Sequence, residues 1–150
     1  MNSSDPDAIN QWLGSILAPL DPGQRRRFFR QLAVDLQRSQ ADRIKALQNP
    51  DGSPFEPRKP RKKKGSIRQR AMFAGLRKRK NLRRASSSDH AEVGFRGRAA
   101  RIADVHQQGL INEVSPGGPL AKYAQRQLLG LSADDLSRIE KSTLQFLQGG

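Results

Sequence analysis

The hydrophobic pattern begins with a stripe that predicts an amphipathic helix near the amino terminus. Five apolar residues stand at i, i+3, i+4, i+7 and i+8, which is the spacing of one helix face. They are Ile9, Trp12, Leu13, Ile16 and Leu17. We expect this helix to pack on its own domain, although a short amphipathic helix at a chain end could dock on a neighbouring subunit instead.

A second and longer helix is predicted over residues 21–48. Asp21 is a good N-cap, Pro22 suits the first helical position, and Gln24 stands three residues after the cap, as a capping box requires. An apolar stripe continues to Leu47, and an Asn-Pro pair follows. A helix of roughly 26 residues would be about 39 Å long.

Further capping signals mark the ends of the other helices. Ser4, with Asp7 three residues later, is the expected N-cap of the first helix, and Ser132 with Asp135 is that of the last. Gly109 follows a helical segment at the position of a left-handed C-terminal cap. The last helix should bury a stripe made of Leu136, Ile139, Thr143, Phe146 and Leu147.

Between the long helix and the last helix, the pattern favours short strands around one helix. Residues 77–96 are predicted to form a β-hairpin with a polar tip, and residues 110–114 and 126–131 to form short strands. A weak helical stripe covers residues 66–76. The helix at 98–108 should bury Ala99, Ile102, Val105 and His106.

The succession of elements predicts an α+β fold, in which helices flank a small, mainly antiparallel sheet. A chain of 150 residues suits one domain. The turn at Asp51-Gly52 should use a positive φ, and Phe55 should pack onto the long helix. We divide the domain into an N-terminal helix (1–20), the long helix (21–48), a proline-rich turn and basic linker (49–65), a sheet-containing region (66–131) and a C-terminal helix (132–150).

The net charge of +14 comes from one part of the chain. Residues 1–57 and 85–150 each hold seven Lys/Arg and seven Asp/Glu, whereas residues 58–84 hold fourteen Lys/Arg and no acid. We call residues 58–84 the basic zone. A field this concentrated attracts an anionic partner, nucleic acid being the commonest, but a solvated basic linker is the alternative.

No catalytic arrangement stands out, and we expect no enzyme, cofactor or metal site. The absence of cysteine excludes disulfides, cysteine-based zinc sites and a thiol nucleophile. His90 lies in a serine-rich loop, and His106, on an apolar helix face, should be partly buried and hydrogen-bonded. There is no G-x-S-x-G elbow and no complete phosphate loop. The start of the chain is unlike a secretory signal, and no apolar run is long enough to span a bilayer.

The basic zone also lacks a nucleic-acid reading motif. No helix-turn-helix or zinc-finger pattern is present, and Phe73 is the only aromatic residue among the fourteen cations. What remains is attraction to phosphate without sequence preference, or attraction to an acidic protein surface.

Several segments together resemble the virion morphogenesis (tail S) family of contractile-tailed phages. They are QNPDGSPFEPRKP after a helix containing ADRIKALQ, then AEVGFRGRAARIADVHQQGL after a basic hairpin, and RQLLGLSADDLSRIEK near the end. The resemblance covers about Gln11 to Leu147. It implies a structural virion protein that completes the head-proximal end of a tail, similar to neck and tail-terminator proteins that form rings, often sixfold, around the DNA channel.

The resemblance also implies partners. These are further copies of the chain, tail tube or sheath-terminating proteins, head completion or connector proteins, and duplex DNA held without sequence specificity. Candidate contacts with DNA or an acidic partner are Arg61, Lys62, Lys63, Lys64, Arg77, Lys78, Arg79, Lys80, Arg83 and Arg84. Candidate subunit contacts are Trp12, Leu13, Ile16, Arg25, Arg26 and Arg30. An accessory nucleic-acid-binding protein that uses the basic zone is the alternative function.

Overall fold

The computed structural model describes residues 5–57, 72–109, 111–113, 120–122 and 124–149. In these ranges the α+β class predicted from the sequence is confirmed, with four helices and four strands in the expected order. The elements are α1 (Pro6–Leu17), α2 (Pro22–Lys45), β1 (Leu82–Ser86), β2 (Ala91–Phe95), α3 (Gly97–Gln108), β3 (Ile111–Glu113), β4 (Leu120–Lys122) and α4 (Ala133–Gly149).

Helix α2 begins at the predicted capping box. The Gln24 amide donates to Asp21 Oδ1 at 2.9 Å, and the Asp21 amide donates to Gln24 Oε1 at 3.2 Å. The helix ends at Lys45, earlier than expected, and Leu47 adopts a φ of 59°. The prediction that Leu47 belongs to the buried stripe is wrong, because this left-handed residue breaks the helical spacing and is 36% exposed.

The proline-rich turn after α2 has the predicted form. Gly52 adopts a φ of 89°, which a residue with a side chain rarely does. The hydroxyl and the amide of Ser53 both donate to Asp51, and these bonds lower the pKa of its carboxyl. Phe55 is buried against Ile44, so the prediction that it packs onto the long helix is confirmed.

The predicted hairpin is present, but it is shorter than the pattern indicated. Strands β1 and β2 pair antiparallel, from Leu82 opposite Phe95 to Ser86 opposite Ala91, and both lie across α2. Residues 72–80 form consecutive turns instead of strand or helix. The rest of the predicted 66–76 helix lies outside the described residues.

A second hairpin is formed by β3 and β4, with Ile111 opposite Lys122 and Glu113 opposite Leu120. Among the described residues the strands therefore form two separate two-stranded sheets, where the pattern predicted one. The strand predicted at 126–131 is absent. The backbone there is hydrogen-bonded to side chains instead of to a neighbouring strand. Gln107 bonds both the amide and the carbonyl of Leu129.

In the part of the chain that the structure describes, two apolar clusters hold the elements together. The first joins α1, α2 and α4, and the second joins the end of α2, the turn at 72–76, α3 and Leu128. The buried members of the first are Ile9, Leu13, Leu17, Phe28, Phe29, Leu32 and Ile139, and those of the second are Ile44, Phe55, Leu76, Ala99, Ala103 and Leu128.

Some predicted helix faces need correction. Asp5 caps α1 by accepting from the Asp7 amide at 3.1 Å, in place of Ser4, which lies outside the described residues. Ile102 is 50% exposed, because α3 buries Ala99 and Ala103, which lie one turn apart. Leu147 is 38% exposed, so the buried stripe of α4 stops before it. The left-handed cap at Gly109, with a φ of 66°, is confirmed.

Candidate functional site

The described part of the basic zone begins with a turn that presents cations to solvent. Lys78, Arg79 and Lys80 are exposed, and Arg77 is half-buried. The turn is anchored from below by the buried side chain of Leu76, which belongs to the second apolar cluster. It is also closed internally, because Asn81 Nδ2 donates to the Gly75 carbonyl at 2.7 Å and the Leu82 amide donates to the Lys78 carbonyl at 2.8 Å. These cations therefore stand on a fixed base.

The two arginines of β1 have different environments. Arg84 Nη1 donates to the Oε1 of Gln37 on α2, and Gln37 Nε2 donates to the Leu82 carbonyl at 2.6 Å. Arg84 thus fastens the hairpin to α2. Arg83 is exposed opposite Gly94 and makes no bond of this kind within the described residues. Of this predicted pair, Arg83 is the one left available to a partner.

The charge of this region is not neutralised by neighbouring acids in the described ranges. Within 4.0 Å, the one contact there between a nitrogen of a basic side chain or histidine and a carboxylate joins His90 Nε2 to Glu92 Oε1 at 3.3 Å, near the tip of the hairpin. The predicted contacts Arg61, Lys62, Lys63 and Lys64 lie outside the described residues.

The predicted subunit contacts on α1 differ in how deeply their side chains are buried. Leu13 is 1% exposed and belongs to the first apolar cluster. Trp12 and Ile16 are half-buried against the edge of the same cluster. They leave part of their apolar surface at the outside of α1.

The cations at the start of α2 also differ in exposure. Arg26 and Arg30 are exposed, whereas Arg25 is half-buried and its Nε has no partner among the described residues. Two apolar side chains of α4 are also exposed: Leu144 (47%), which the pattern did not single out, and Leu147 (38%), which it predicted to be buried. The exposed fractions of these side chains identify them as surface residues, whereas their spacing along the helix does not.

A buried polar junction, also missed by the pattern, centres on Arg43 of α2. Its guanidinium donates to the carbonyls of Gln48 (3.0 Å), Gln127 (2.8 Å) and Leu128 (2.8 Å), and to Gln40 Oε1 (2.6 Å). Burial lowers the pKa of Arg43, and the charge of Asp135 opposes this shift. The junction fixes the irregular segment before α4 against the end of α2.

Asp135 completes the junction from the start of α4. Ser39 donates its hydroxyl to Asp135 Oδ1, while the Ser132 amide donates to Asp135 Oδ2 at 3.0 Å. The Asp135 amide donates in turn to Ser132 Oγ at 3.1 Å, so the predicted capping box of the last helix is confirmed. This carboxylate therefore caps α4 and joins it to α2 with the same two oxygens.

His106 of α3 is partly buried and hydrogen-bonded, as predicted. Its Nδ1 lies 3.1 Å from Nη1 of Arg126, and since a guanidinium only donates, Nδ1 accepts. Burial, and the charge of Arg126, lower its pKa to about 4. Arg126 also donates to the carbonyls of Glu56 (2.8 Å) and Pro57 (3.3 Å). His106 and Arg126 thus secure the end of the proline-rich turn.

An apolar groove of about 180 Å³ opens between α1, α2 and β2. Its lining includes Leu13, Leu36, Val93 and Leu131, together with Gln40.

The described residues contain no group of three or more His, Asp or Glu side chains placed to hold a metal ion. No helix in the described ranges is long and apolar enough to cross a membrane.

Two comparisons with known proteins identify the class. The sequence profile of the phage virion morphogenesis family matches residues 4–148, and the chain belongs to this family. It is a structural family of phage tail proteins, not an enzyme family. The chain is 37% identical over 140 residues to Tail completion protein S of Escherichia phage P2, an alignment that spans 91% of this chain and 93% of that protein. No solved structure matches.

Proposed function

We propose that this protein completes the head-proximal end of a phage tail so that the tail can join a filled head. The observation that carries the proposal is the 37% identity to Tail completion protein S, because the alignment runs through nearly the whole of both chains. The protein would then reside in the virion at the top of the tail, after assembly in the host cytoplasm.

The proposal includes a ring of identical subunits, expected to be sixfold, around the DNA channel. The two hairpins leave strand edges without a partner among the described residues, and a neighbouring copy could pair with such an edge. Head-to-tail contacts between different faces of one chain close into rings when the rotation permits. The half-buried Trp12 and Ile16 and the exposed Arg26 and Arg30 lie on helices that would carry such contacts.

In this role the ring has two protein neighbours and one nucleic acid. Tail tube or sheath-terminating proteins would lie on one side, and head completion or connector proteins on the other. Duplex DNA would pass through the opening without being read, since tight base contacts would obstruct its passage. The proposal requires no cofactor and no membrane partner.

Deletion of the gene from its phage tests the proposal. We expect infected cells to accumulate filled heads and unjoined tails, and joining to return when the protein is supplied in trans. Native mass spectrometry of the purified protein, alone and mixed with tails, would measure the copy number. Normal joined virions from the deletion strain, or a protein that stays monomeric and is absent from virions, would contradict the proposal.

The unneutralised charge of the turn at 77–80 favours one alternative, an accessory protein that binds nucleic acid without specificity. The substitutions Lys78→Gln, Arg79→Gln and Lys80→Gln separate the two functions. A joining protein should still be incorporated into virions after this change. An accessory binder should lose its main activity, because its attraction to phosphate depends on these cations.

A further inference from the structure

The exposed cations of the basic zone continue onto α3, outside the charged stretch that the sequence marks. The Arg96 amide donates to the Asn81 carbonyl at 3.1 Å, which extends the β1–β2 pairing one residue beyond Leu82 and Phe95. Paired strands lie about 4.8 Å apart. Lys80 and Arg96 are therefore neighbours at the same end of the hairpin, although they are far apart in the sequence.

Gly97 turns the chain sharply from β2 into α3. Its φ is 57°, and no side chain of Arg96 caps the helix that starts there. Arg98 consequently lies in the first turn of α3, where the helix dipole disfavours a cation unless an anion is nearby. Arg96 and Arg98 therefore follow directly after the last residue of β2, at the end of the hairpin where Lys80 precedes β1.

Six exposed cations share this end of the hairpin, and none has a carboxylate within 4.0 Å among the described residues. The hairpin's own acids, Asp89 and Glu92, lie toward its tip. Arg84 is not one of the six, because its bond to Gln37 holds it against α2. The six are Lys78, Arg79, Lys80, Arg83, Arg96 and Arg98, and we call them the hairpin-base surface.

The composition of the hairpin-base surface distinguishes between partners. The centre of a protein interface is depleted in charged residues as a group and enriched in aromatic ones, whereas all six members of this surface are charged and none is apolar or aromatic. It has no stacking platform for single strands either, because Phe73 and Phe95 pack into the second apolar cluster. We propose that the hairpin-base surface binds the phosphate backbone of duplex DNA without reading its sequence. This deepens the proposed function, on which it rests for the source of the DNA.

The test measures binding of the full-length protein to a short duplex of mixed sequence over a range of salt concentrations. The test variant carries Lys80→Gln, Arg96→Gln and Arg98→Gln. The control carries Arg38→Gln, Arg138→Gln and Lys141→Gln, which remove the same charge from exposed positions beside the cleft between α2 and α4. Each lost phosphate contact lowers the slope of log K against log salt by about 0.9, so the test variant should lose about 2.7 and the control nothing.

A second triple variant, with Lys78→Gln, Arg79→Gln and Arg83→Gln, should lower the slope by a similar amount. It replaces the first variant if circular dichroism shows that the first is unfolded. Equal slopes for test and control variants would overturn the inference. So would tighter binding of polyglutamate than of duplex DNA at the same salt, which would identify an acidic protein as the partner. Tail joining is measured separately, in infected cells. A failure of the DNA-binding test therefore does not contradict the tail-joining function, and a failure of tail joining does not contradict DNA binding.

Discussion

Gly130 lies against the ring of Pro50, and a Cβ atom placed on Gly130 would come within 2.5 Å of Pro50 Cγ. The two residues belong to the segment before α4 and to the turn after α2. Their contact needs no positive φ at Gly130, so glycine is required there for space rather than for backbone conformation.

Gly130→Ala should therefore destabilise the protein by about 1–3 kcal/mol, because the added methyl group meets a ring that cannot rotate away. Urea denaturation followed by circular dichroism measures the change. Gly14→Ala is the matched control, since the site on α1 has open space and a helical alanine should stabilise by about 0.5–1 kcal/mol. If both variants behave alike, the close approach to Pro50 does not exist.

Arg43→Met should lower the free energy of unfolding by about 3 kcal/mol, because it leaves the buried carbonyl of Leu128 and the part-buried carbonyl of Gln127 without the guanidinium donor. Arg43→Lys should rescue little of this loss, since an ammonium cannot reproduce the planar fork of the guanidinium. Arg38→Met, at an exposed position of the same helix, is the control and should change stability by less than about 0.5 kcal/mol. Thermal unfolding that shows equal stability for the two methionine variants would exclude a buried junction.

Arg84→Ala and Arg83→Ala should differ although the residues are adjacent. Loss of the bond from Arg84 to Gln37 should cost about 1 kcal/mol, whereas removal of the exposed Arg83 side chain should leave stability within about 0.5 kcal/mol of the unsubstituted protein. Chemical denaturation of the two variants checks this. The reverse order would mean that the hairpin is fastened to α2 by the other arginine.

His106 should make stability depend on pH in the weakly acidic range. Its pKa is about 4 in the folded protein and 6.5 ordinarily, so between these values the unfolded chain binds a proton that the folded chain does not. The contribution of neutral His106 to the free energy of unfolding is fully present above about pH 6.5 and is lost as the pH falls toward 4. His106→Asn, which keeps an acceptor for Arg126, should flatten this part of the curve measured by thermal unfolding. Identical slopes for His106→Asn and the unsubstituted protein would refute the assignment.

The sequence predicted those features that depend on neighbours in the chain. Asp21 with Gln24, and Ser132 with Asp135, are capping boxes whose partners stand three residues apart, so the pattern contains all that is needed. Gly109 was predictable for the same reason. The family resemblance, which rests on whole segments, was confirmed by the match to residues 4–148.

Several features that depend on distant residues were missed or wrong. The segment at 126–131 is apolar enough for a strand, but its backbone groups bond to Arg43 and Gln107 instead. One signal was available, because Gln40 and Arg43 occupy the part of the α2 stripe where apolar residues are missing between Leu36 and Ile44. Polar residues at such positions indicate a buried polar partner whose identity the local sequence does not contain.

The Arg43 junction also sets the order in which a newly made chain can be completed. Arg43 lies 84 and 85 residues before two of its acceptors, and Ser39 lies 96 residues before Asp135. While the ribosome is still translating the hairpins, the polar face of α2 has no partner to cover it. Contacts this distant form late, because a long loop must close before they contribute. We therefore expect the fold of the chain to be completed only after residues 127–135 have been synthesised.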